Sequence, residues 1–313
     1  MTLMILRRVL STIFVMAFVA FFVFGLLYLA PGDPAALIAG DLATAADIER
    51  IRASLGLDRP FHTQFLSWLG GVLQGDLGTS IFSNRPVSQL IAQRIEPTLA
   101  LATTTIVFSV IIAVPMGIVA AWRAGSWVDR LVMGFAVLGF SVPVFVFAYV
   151  LIIIFAAQLQ LVPVMGYVSI FENPAGFFRS IALPTVALGV TYIALIARIT
   201  RASMLEAINQ DYIRTAHAKG LGIVAILFRH ALRNASVPIV TTIGIGIALL
   251  IGGVVVTESV FAIPGLGRLT VDAILRRDYP IIQAVILIFS AIYVLINLAI
   301  DAAYIALDPR IRY

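Results

Sequence analysis

Six long apolar runs divide this chain: Val9–Ala30, Leu99–Trp122, Leu131–Ala157, Ile181–Ala197, Pro238–Val256 and Ile281–Leu307. The first has 22 residues without a charge, enough to cross a hydrocarbon core of about 30 Å at a helical rise of 1.5 Å per residue. No strand-like alternation recurs, which argues against a transmembrane β-barrel. Inside lipid the backbone has to satisfy its own hydrogen bonds, and helices remain. The pattern therefore predicts an all-α integral membrane protein with about six transmembrane helices. Arg7 and Arg8 precede the first run. A secretory leader has a shorter apolar core, about 7–15 residues, and Leu29-Ala30-Pro31 is a poor cleavage site, so the run reads as a retained helix.

Residues 31–98 differ in kind. They carry Asp33, Asp41, Asp47, Glu49, Arg50, Arg52, Asp58 and Arg59 among scattered glycines and prolines. This is a water-exposed segment, and it predicts a helix over Ala45–Leu55 with Thr44 as N-cap and Gly56 just past its end. The chain thus divides into residues 1–98, a first span plus a large polar segment, and 99–313, a bundle of spans interrupted by one long loop, 198–235.

Composition sharpens this picture. Of 313 residues, 61% are hydrophobic and 12% charged, and the mean hydropathy is +1.05. That is about half the charge of an average soluble domain. Cysteine is absent, which excludes disulfides, thiolate nucleophiles and cysteine-held metals. The net charge of +5 comes from arginines placed between apolar runs. It reads as topological anchoring rather than nucleic-acid binding. With the N-terminus inside, the inner segments hold twelve basic residues against five carboxylates, and the outer segments nine against eleven. Both termini are therefore expected to be cytoplasmic.

The loop 198–235 holds six of the twelve inner basic residues. Asn209-Gln210-Asp211 reads as a break with Asp211 as N-cap. Tyr212 to Lys219 makes about two helical turns, with Lys219 in the last turn where the helix dipole favours a cation. Gly220 closes it in the left-handed conformation, Leu221-Gly222 is a second break, and a basic helix from Ile223 to Ala235 leads into the fifth span through Pro238. A helix lying on lipid headgroups and a docking knob for a cytosolic partner both fit this composition and spacing.

Tyr212-Ile213-Arg214-Thr215-Ala216-His217-Ala218-Lys219-Gly220-Leu221, followed by His230-Ala231-Leu232-Arg233-Asn234-Ala235, resembles the cytoplasmic signature loop of binding-protein-dependent ABC importer permeases. The general family form is Glu-Ala-Ala-x3-Gly-x9-Ile-x-Leu-Pro. Arg214 and Thr215 replace its first two positions and His230 and Arg233 its isoleucine and proline, while Ala216, Gly220 and Leu232 keep it. The altered form is similar to the dipeptide, oligopeptide and nickel branch. Further segments along the whole chain fit that branch: Pro31-Gly32-Asp33-Pro34, Leu55-Gly56-Leu57-Asp58, Gly75-Asp76-Leu77-Gly78, Thr257-Glu258 with Pro264-Gly265-Leu266-Gly267, Asp278-Tyr279-Pro280 and Leu307-Asp308-Pro309-Arg310-Ile311-Arg312.

The resemblance implies a fold like that of type I ABC importer transmembrane domains and a place in a bacterial inner membrane. It implies import of dipeptides or oligopeptides, with nickel, glutathione or another small solute as alternatives. It also implies partners: a similar second permease, two cytosolic ATPases gripping the loop helix, and an extracytoplasmic solute-binding protein. The loop residues Asp211, Tyr212, Arg214, Thr215, Ala216, Lys219, Gly220 and Leu232 would carry the coupling.

The chain itself has no phosphate cradle of the form G-x4-G-K-[ST], since its single lysine stands in Ala218-Lys219-Gly220. It is expected to be a transport subunit and not an enzyme, with ATP and Mg on partner chains and no cofactor of its own. His62, His217 and His230 have no metal-site spacing. An ion-coupled secondary transporter is the other reading. It would need ionisable groups near mid-membrane, and Glu258 and Asp301 stand near run ends.

Ser141, Thr191, Tyr192, Thr241, Thr242, Gln283 and Asn297 are the candidates for a translocation path, although each taken singly is better explained by an interhelical hydrogen bond or close helix packing. Pro143 is expected to kink the third span, and Gly244, Gly246, Gly252 and Gly253 to loosen the fifth. Ala113, Gly117, Ala121 and Gly125 recur every four residues and predict a close helix contact. The orientation has a direct test in this cysteine-free chain: a Thr79→Cys variant in intact cells reacts with an impermeant maleimide from outside. Reaction only after the inner face is opened would reverse the topology.

Overall fold

The structure, a computed structural model, describes residues 2–29, 34–39, 43–54, 56 and 58–307. Pro31-Gly32-Asp33, Leu55, Leu57 and the closing stretch 308–313 lie outside the described residues. The chain is helical, in the order α1 Thr2–Leu29, α2 Pro34–Ala39, α3 Ala45–Ser54, α4 Phe61–Leu73, α5 Val87–Ala92, α6 Ile95–Trp122, α7 Trp127–Ser141, α8 Val144–Gln158, α9 Pro174–Ile208, α10 Asp211–Ala218, α11 Ile223–Val260, α12 Leu266–Arg276 and α13 Tyr279–Leu307.

Among the described residues four helical stretches are long and apolar enough to cross a membrane: Val87–Trp122, Pro174–Ile208, Ile223–Val260 and Tyr279–Ala302. The bent pair α7–α8 would make a fifth, and α1, 28 residues with an apolar stretch Leu10–Gly25, is the sixth of the apolar runs. The expected count of about six is close to this.

The kink expected at Pro143 in the third run is present and is far sharper than an ordinary helix kink. α7 and α8 meet at 103°. Val142 is extended, with φ −88° and ψ 124°, because the residue before a proline is pushed out of the helical region. Pro143 then starts α8 with no N–H to give. The fourth run, by contrast, extends well beyond its apolar core. α9 begins at Pro174 in its first turn, and the Asn173 side chain accepts from Gly176 N at 3.0 Å. This pairs an asparagine N-cap with a proline whose missing donor costs nothing there.

The chain forms two compact units, residues 1–95 with 269–294 and residues 96–268 with 295–313. In the first unit α1 meets α4 through an aromatic cluster. Phe24 lies edge-on to Phe61 and Phe65 with centroids 5.4 and 5.5 Å away, and 5.2 Å from Trp68. The predicted helix at 45–54 is capped as expected. Thr44 Oγ1 accepts from Asp47 N at 3.3 Å, and the Asp47 carboxylate accepts from Thr44 N at 3.1 Å, a reciprocal capping box. Hydrogen bonds from Thr44 hold the Asp47 carboxyl below its ordinary range. Further on, the turn 79–86 is pinned at its base by the buried Asp278, which accepts from Ser80 Oγ at 2.5 Å and Ile81 N at 3.2 Å.

In the second unit α9 is the central helix, packed by α6, α7, α8 and α11. Its buried face carries Leu188, Tyr192, Ile193, Ile196 and Ala197. The predicted small-residue contact is present in part. Ala113, Gly117 and Ala121 are buried, and a Cβ on Gly117 would lie 2.5 Å from Thr200 Cβ and 2.8 Å from the Ala197 carbonyl oxygen. α6 thus reaches the α9 backbone directly, a contact open only to glycine. Gly125 falls in the turn after α6, with φ +79°. The glycines expected to loosen the fifth span are mostly contact sites too. A Cβ on Gly244 would strike Ile300, one on Gly253 would lie 2.7 Å from Leu188 Cδ1, and one on Gly246 3.4 Å from Tyr192; only Gly252 faces open space.

These contacts set an expectation for stability. Gly117→Ala forces α6 away from α9 at a cost of about 1–3 kcal/mol, so the thermal midpoint in detergent falls. Gly134→Ala, at a helix position with nothing within 4 Å, leaves it unchanged or higher.

Candidate functional site

The loop between α9 and α11 is built around α10. The chain leaves α9 at Ile208 and restarts at Asp211. Gln210, extended at φ −78° and ψ 151°, occupies the N-cap position without a side-chain capping bond, which corrects the expectation that Asp211 is the cap. Asp211 is the first helical residue. Its carboxylate points along the surface to Arg214 Nη1 at 3.4 Å, and its carbonyl accepts from Thr215 Oγ1 at 3.1 Å. From there it acts on the exposed N–H groups through the helix dipole rather than by a direct bond.

The other end is closed as the sequence predicts. Gly220 adopts φ +76°. Gly220 N donates to the His217 carbonyl at 2.9 Å and Leu221 N to the Ala216 carbonyl at 3.3 Å. This is a Schellman closure with Lys219 as C-cap and glycine in the left-handed position.

α10 has two faces. Ile213, 2% exposed, and Ala216 point inward. They pack into a cluster with Ile118 and Ala121 of α6, Met204 and Ala207 of α9, and Ile226, Leu227, Ala231, Ala235 and Ile239 of α11. The start of α11 is a wide turn over Ile226–Ala231, whose i→i+5 repeat brings Ile226 and Ala231 to one face. The basic helix expected over Ile223–Ala235 leads into the following span without interruption. Leu232 is half-buried against the same cluster. Asp211, Tyr212, Arg214, Thr215, His217, Ala218 and Lys219 face outward and are exposed. Burying an isoleucine contributes about 1.5–3 kcal/mol, and together with the rest of this apolar footing it helps to hold a two-turn helix that would not form alone. The result is a short rod seated on the ends of three long helices, with a polar face left free.

The candidate path residues do not share one site. Ser141 and Thr191 face two separate cavities along the α7–α9 seam. Ser141, Thr241 and Thr242 each bond the carbonyl four residues earlier in their own helix, at 2.7–2.9 Å. Tyr192 is buried against Gly246 and Gly253. Asn297 is half-buried, and Gln283 is buried in the first unit.

Glu258, which the sequence marks only as a residue near a span end, is fully buried. Its carboxylate accepts from Thr98 Oγ1 at 2.6 Å and from Arg268 N at 3.0 Å, while Leu266 N donates to Thr98 Oγ1 at 2.7 Å. Together Glu258 and Thr98 cap the first turn of α12, which begins after a glycine. A Cβ on Gly265 would run into the carboxylate, and one on Gly267 would lie 2.6 Å from Val255 Cα. The Pro264-Gly265-Leu266-Gly267 spacing is thus the imprint of this clamp. A carboxylate this tightly held by backbone and hydroxyl donors is built as a structural anchor. Asp301 is half-buried.

Comparison with known proteins adds to this geometry. A family model described as the binding-protein-dependent transport system inner membrane component matches residues 113–313. A second, for the N-terminal part of such a membrane component, matches residues 1–102. The chain is 56% identical over 309 residues to the probable peptide ABC transporter permease protein y4tP of Sinorhizobium fredii, covering 99% of both chains. It is 44% identical over 309 residues to the glutathione transport system permease protein GsiC of Salmonella typhimurium, covering 99% of this chain and 98% of that one. Among solved structures, the MetNI methionine ABC transporter in an inward-facing conformation aligns with a TM-score of 0.59 at 20% identity, over 70% of this chain and 97% of the other, a likeness of fold.

Proposed function

This chain belongs to the family of binding-protein-dependent transport system inner membrane components, and we propose that it forms half of the channel of an ATP-driven importer of short peptides, with α10 as the element that ATPase subunits grip. As a permease subunit of an ABC transporter it is a transport component of the inner membrane and not an enzyme. The observation that carries the reading of α10 is its two-sided construction. Ile213 and Ala216 fix it to the ends of α6, α9 and α11, and a capped, exposed polar face is presented outward. A rod of this kind passes force from a partner to three spans at once. Asp211, Tyr212, Arg214, Thr215 and Lys219 supply the gripping face. Ala216, Gly220 and Leu232 keep the rod seated and closed.

ATP and Mg belong to the partner ATPases, two per transporter, since this sequence contains no phosphate-binding loop. A second permease completes the channel, and an extracytoplasmic binding protein delivers the solute. The peptide class rests on the relative at 56% identity named for peptide transport. The relative named for glutathione, itself a tripeptide, points to the same size and chemistry of cargo. α10 faces the cytoplasm in this reading, and both termini lie on that side.

The test uses the whole transporter in proteoliposomes, with peptide uptake and ATP hydrolysis measured together. Gly220→Pro imposes a φ near −65° where +76° is needed and removes the bond to His217, a penalty of about 3 kcal/mol. Ala216→Asp places an unpaired carboxylate against the apolar cluster. Both variants are expected to assemble and hydrolyse ATP while uptake per ATP collapses. Normal uptake in both would remove the coupling role.

A further inference from the structure

We propose that the ion pair between Asp129 and Arg201 is a relay that makes α7 follow α9 when α10 is driven, so that this pair positions the bent α7–α8 element during transport. The inference rests on the coupling role given to α10.

Asp129 stands in the first turn of α7, and its side chain is 6% exposed. Arg201 lies on α9, ten residues before α10 begins, with its side chain 25% exposed. The guanidinium meets the carboxylate in fork geometry, Nε on Oδ1 and Nη2 on Oδ2, the second at 2.6 Å. The same carboxylate accepts from Gly125 N at 2.9 Å, in the turn that leaves α6, and the Ser126 hydroxyl accepts from Asp129 N at 3.5 Å. One carboxylate therefore ties together the α6–α7 turn, the start of α7 and the body of α9.

Elsewhere the α7–α9 seam is extensive apolar packing, without charged contacts among the described residues. Gly139 lets the helices touch, since a Cβ there would come within 3.0 Å of Val190 Cγ1. On either side of that contact the seam is gapped, with cavities lined by Ala136, Phe140 and Leu195 and by Phe135, Leu138 and Val190. The hydrogen bond from Thr191 Oγ1 to the Gly139 carbonyl is long, at 3.4 Å. At its far end α7 breaks at Val142-Pro143, so α8 gives it little axial stiffness. The bidentate pair is the strong directional contact of this seam.

Its position gives it a task. Three and six residues beyond Arg201 on α9, Met204 and Ala207 belong to the same buried cluster as Ile213 and Ala216 of α10. Three residues are less than one helical turn, about 4.5 Å of rise. A displacement of α10 moves that end of α9 as part of one packed cluster. Through Gly117 against Thr200 it also moves α6. α7 has no residue in that cluster, and Arg201–Asp129 is the charged, directional contact that joins its first turn to α9 next to the driven end. Buried ion pairs add little net stability compared with apolar packing of the same volume, and their best-attested use is to fix a geometry.

The experiment uses the assembled transporter in proteoliposomes and reads peptide uptake per ATP hydrolysed, with complex yield and melting temperature recorded alongside. Asp129→Asn and Arg201→Gln are expected to assemble and hydrolyse ATP while uptake per ATP falls at least about fivefold, the lower end of ordinary coupling between sites. Should either fail to assemble, Arg201→Lys keeps the charge, loses the second prong and carries the same comparison. In an Asp129→Cys/Arg201→Cys double variant, uptake per ATP is low with free thiols and recovers when a short bifunctional thiol reagent bridges them. A loss of uptake that only tracks a loss of assembled complex, or unchanged uptake per ATP in the single variants, would overturn the relay. If those variants behave normally while Gly220→Pro uncouples, the relay alone falls. If Gly220→Pro also transports normally, the coupling reading falls first.

Discussion

The burial of Ile213 and Ala216 under a helix of two turns is the contact on which the functional reading depends. An isolated eight-residue helix is not stable in water, and α10 has no side-chain cap at its N-terminus. Its existence rests on a small apolar footing shared by the ends of α6, α9 and α11. Because that footing draws on three spans, α10 cannot move without moving them. Because the footing takes only one face, the other is free for a partner. Anchoring and presentation are two consequences of one amphipathic pattern, with Ile213 and Ala216 three residues apart inside a run of polar and small positions.

Most of the architecture was legible in the sequence because lipid imposes simple rules. Long apolar runs have to be helices, and a proline or glycine between them marks an end. The capping box at Thr44 and Asp47, the left-handed Gly220 and the glycine contact at Gly117 were readable because each depends on neighbours in sequence or on a fixed helical period. The failures share a cause. Hydropathy counts residues and does not see direction, so the kink expected at Pro143 in Leu131–Ala157 gave no sign that the chain turns there by 103°. Asp211 has the composition of an N-cap, yet where a helix begins is decided by where Ile213 finds its pocket, and that moved the cap to Gln210.

The residues least legible were those whose partners lie far away in the chain. Glu258 reads as a charge near a membrane boundary until Thr98, 160 positions earlier, is placed beside it. Asp129 and Arg201 are two more loop charges until the fold puts them in a fork. The hydroxyl candidates for a path run the other way. Ser141, Thr241 and Thr242 are conspicuous in sequence because they are polar among apolar neighbours, yet each satisfies itself on its own helix.

The claim that the free face of α10 is held by an ATPase has a direct competitor in a helix lying on lipid headgroups. Both leave Thr215 exposed, and they differ in what touches it. A photo-crosslinking residue at position 215, activated in native membranes and followed by mass spectrometry, separates them. The account predicts a crosslink to a separate chain carrying a G-x4-G-K-[ST] phosphate-binding loop. Crosslinks confined to lipid would contradict it and return α10 to the membrane surface.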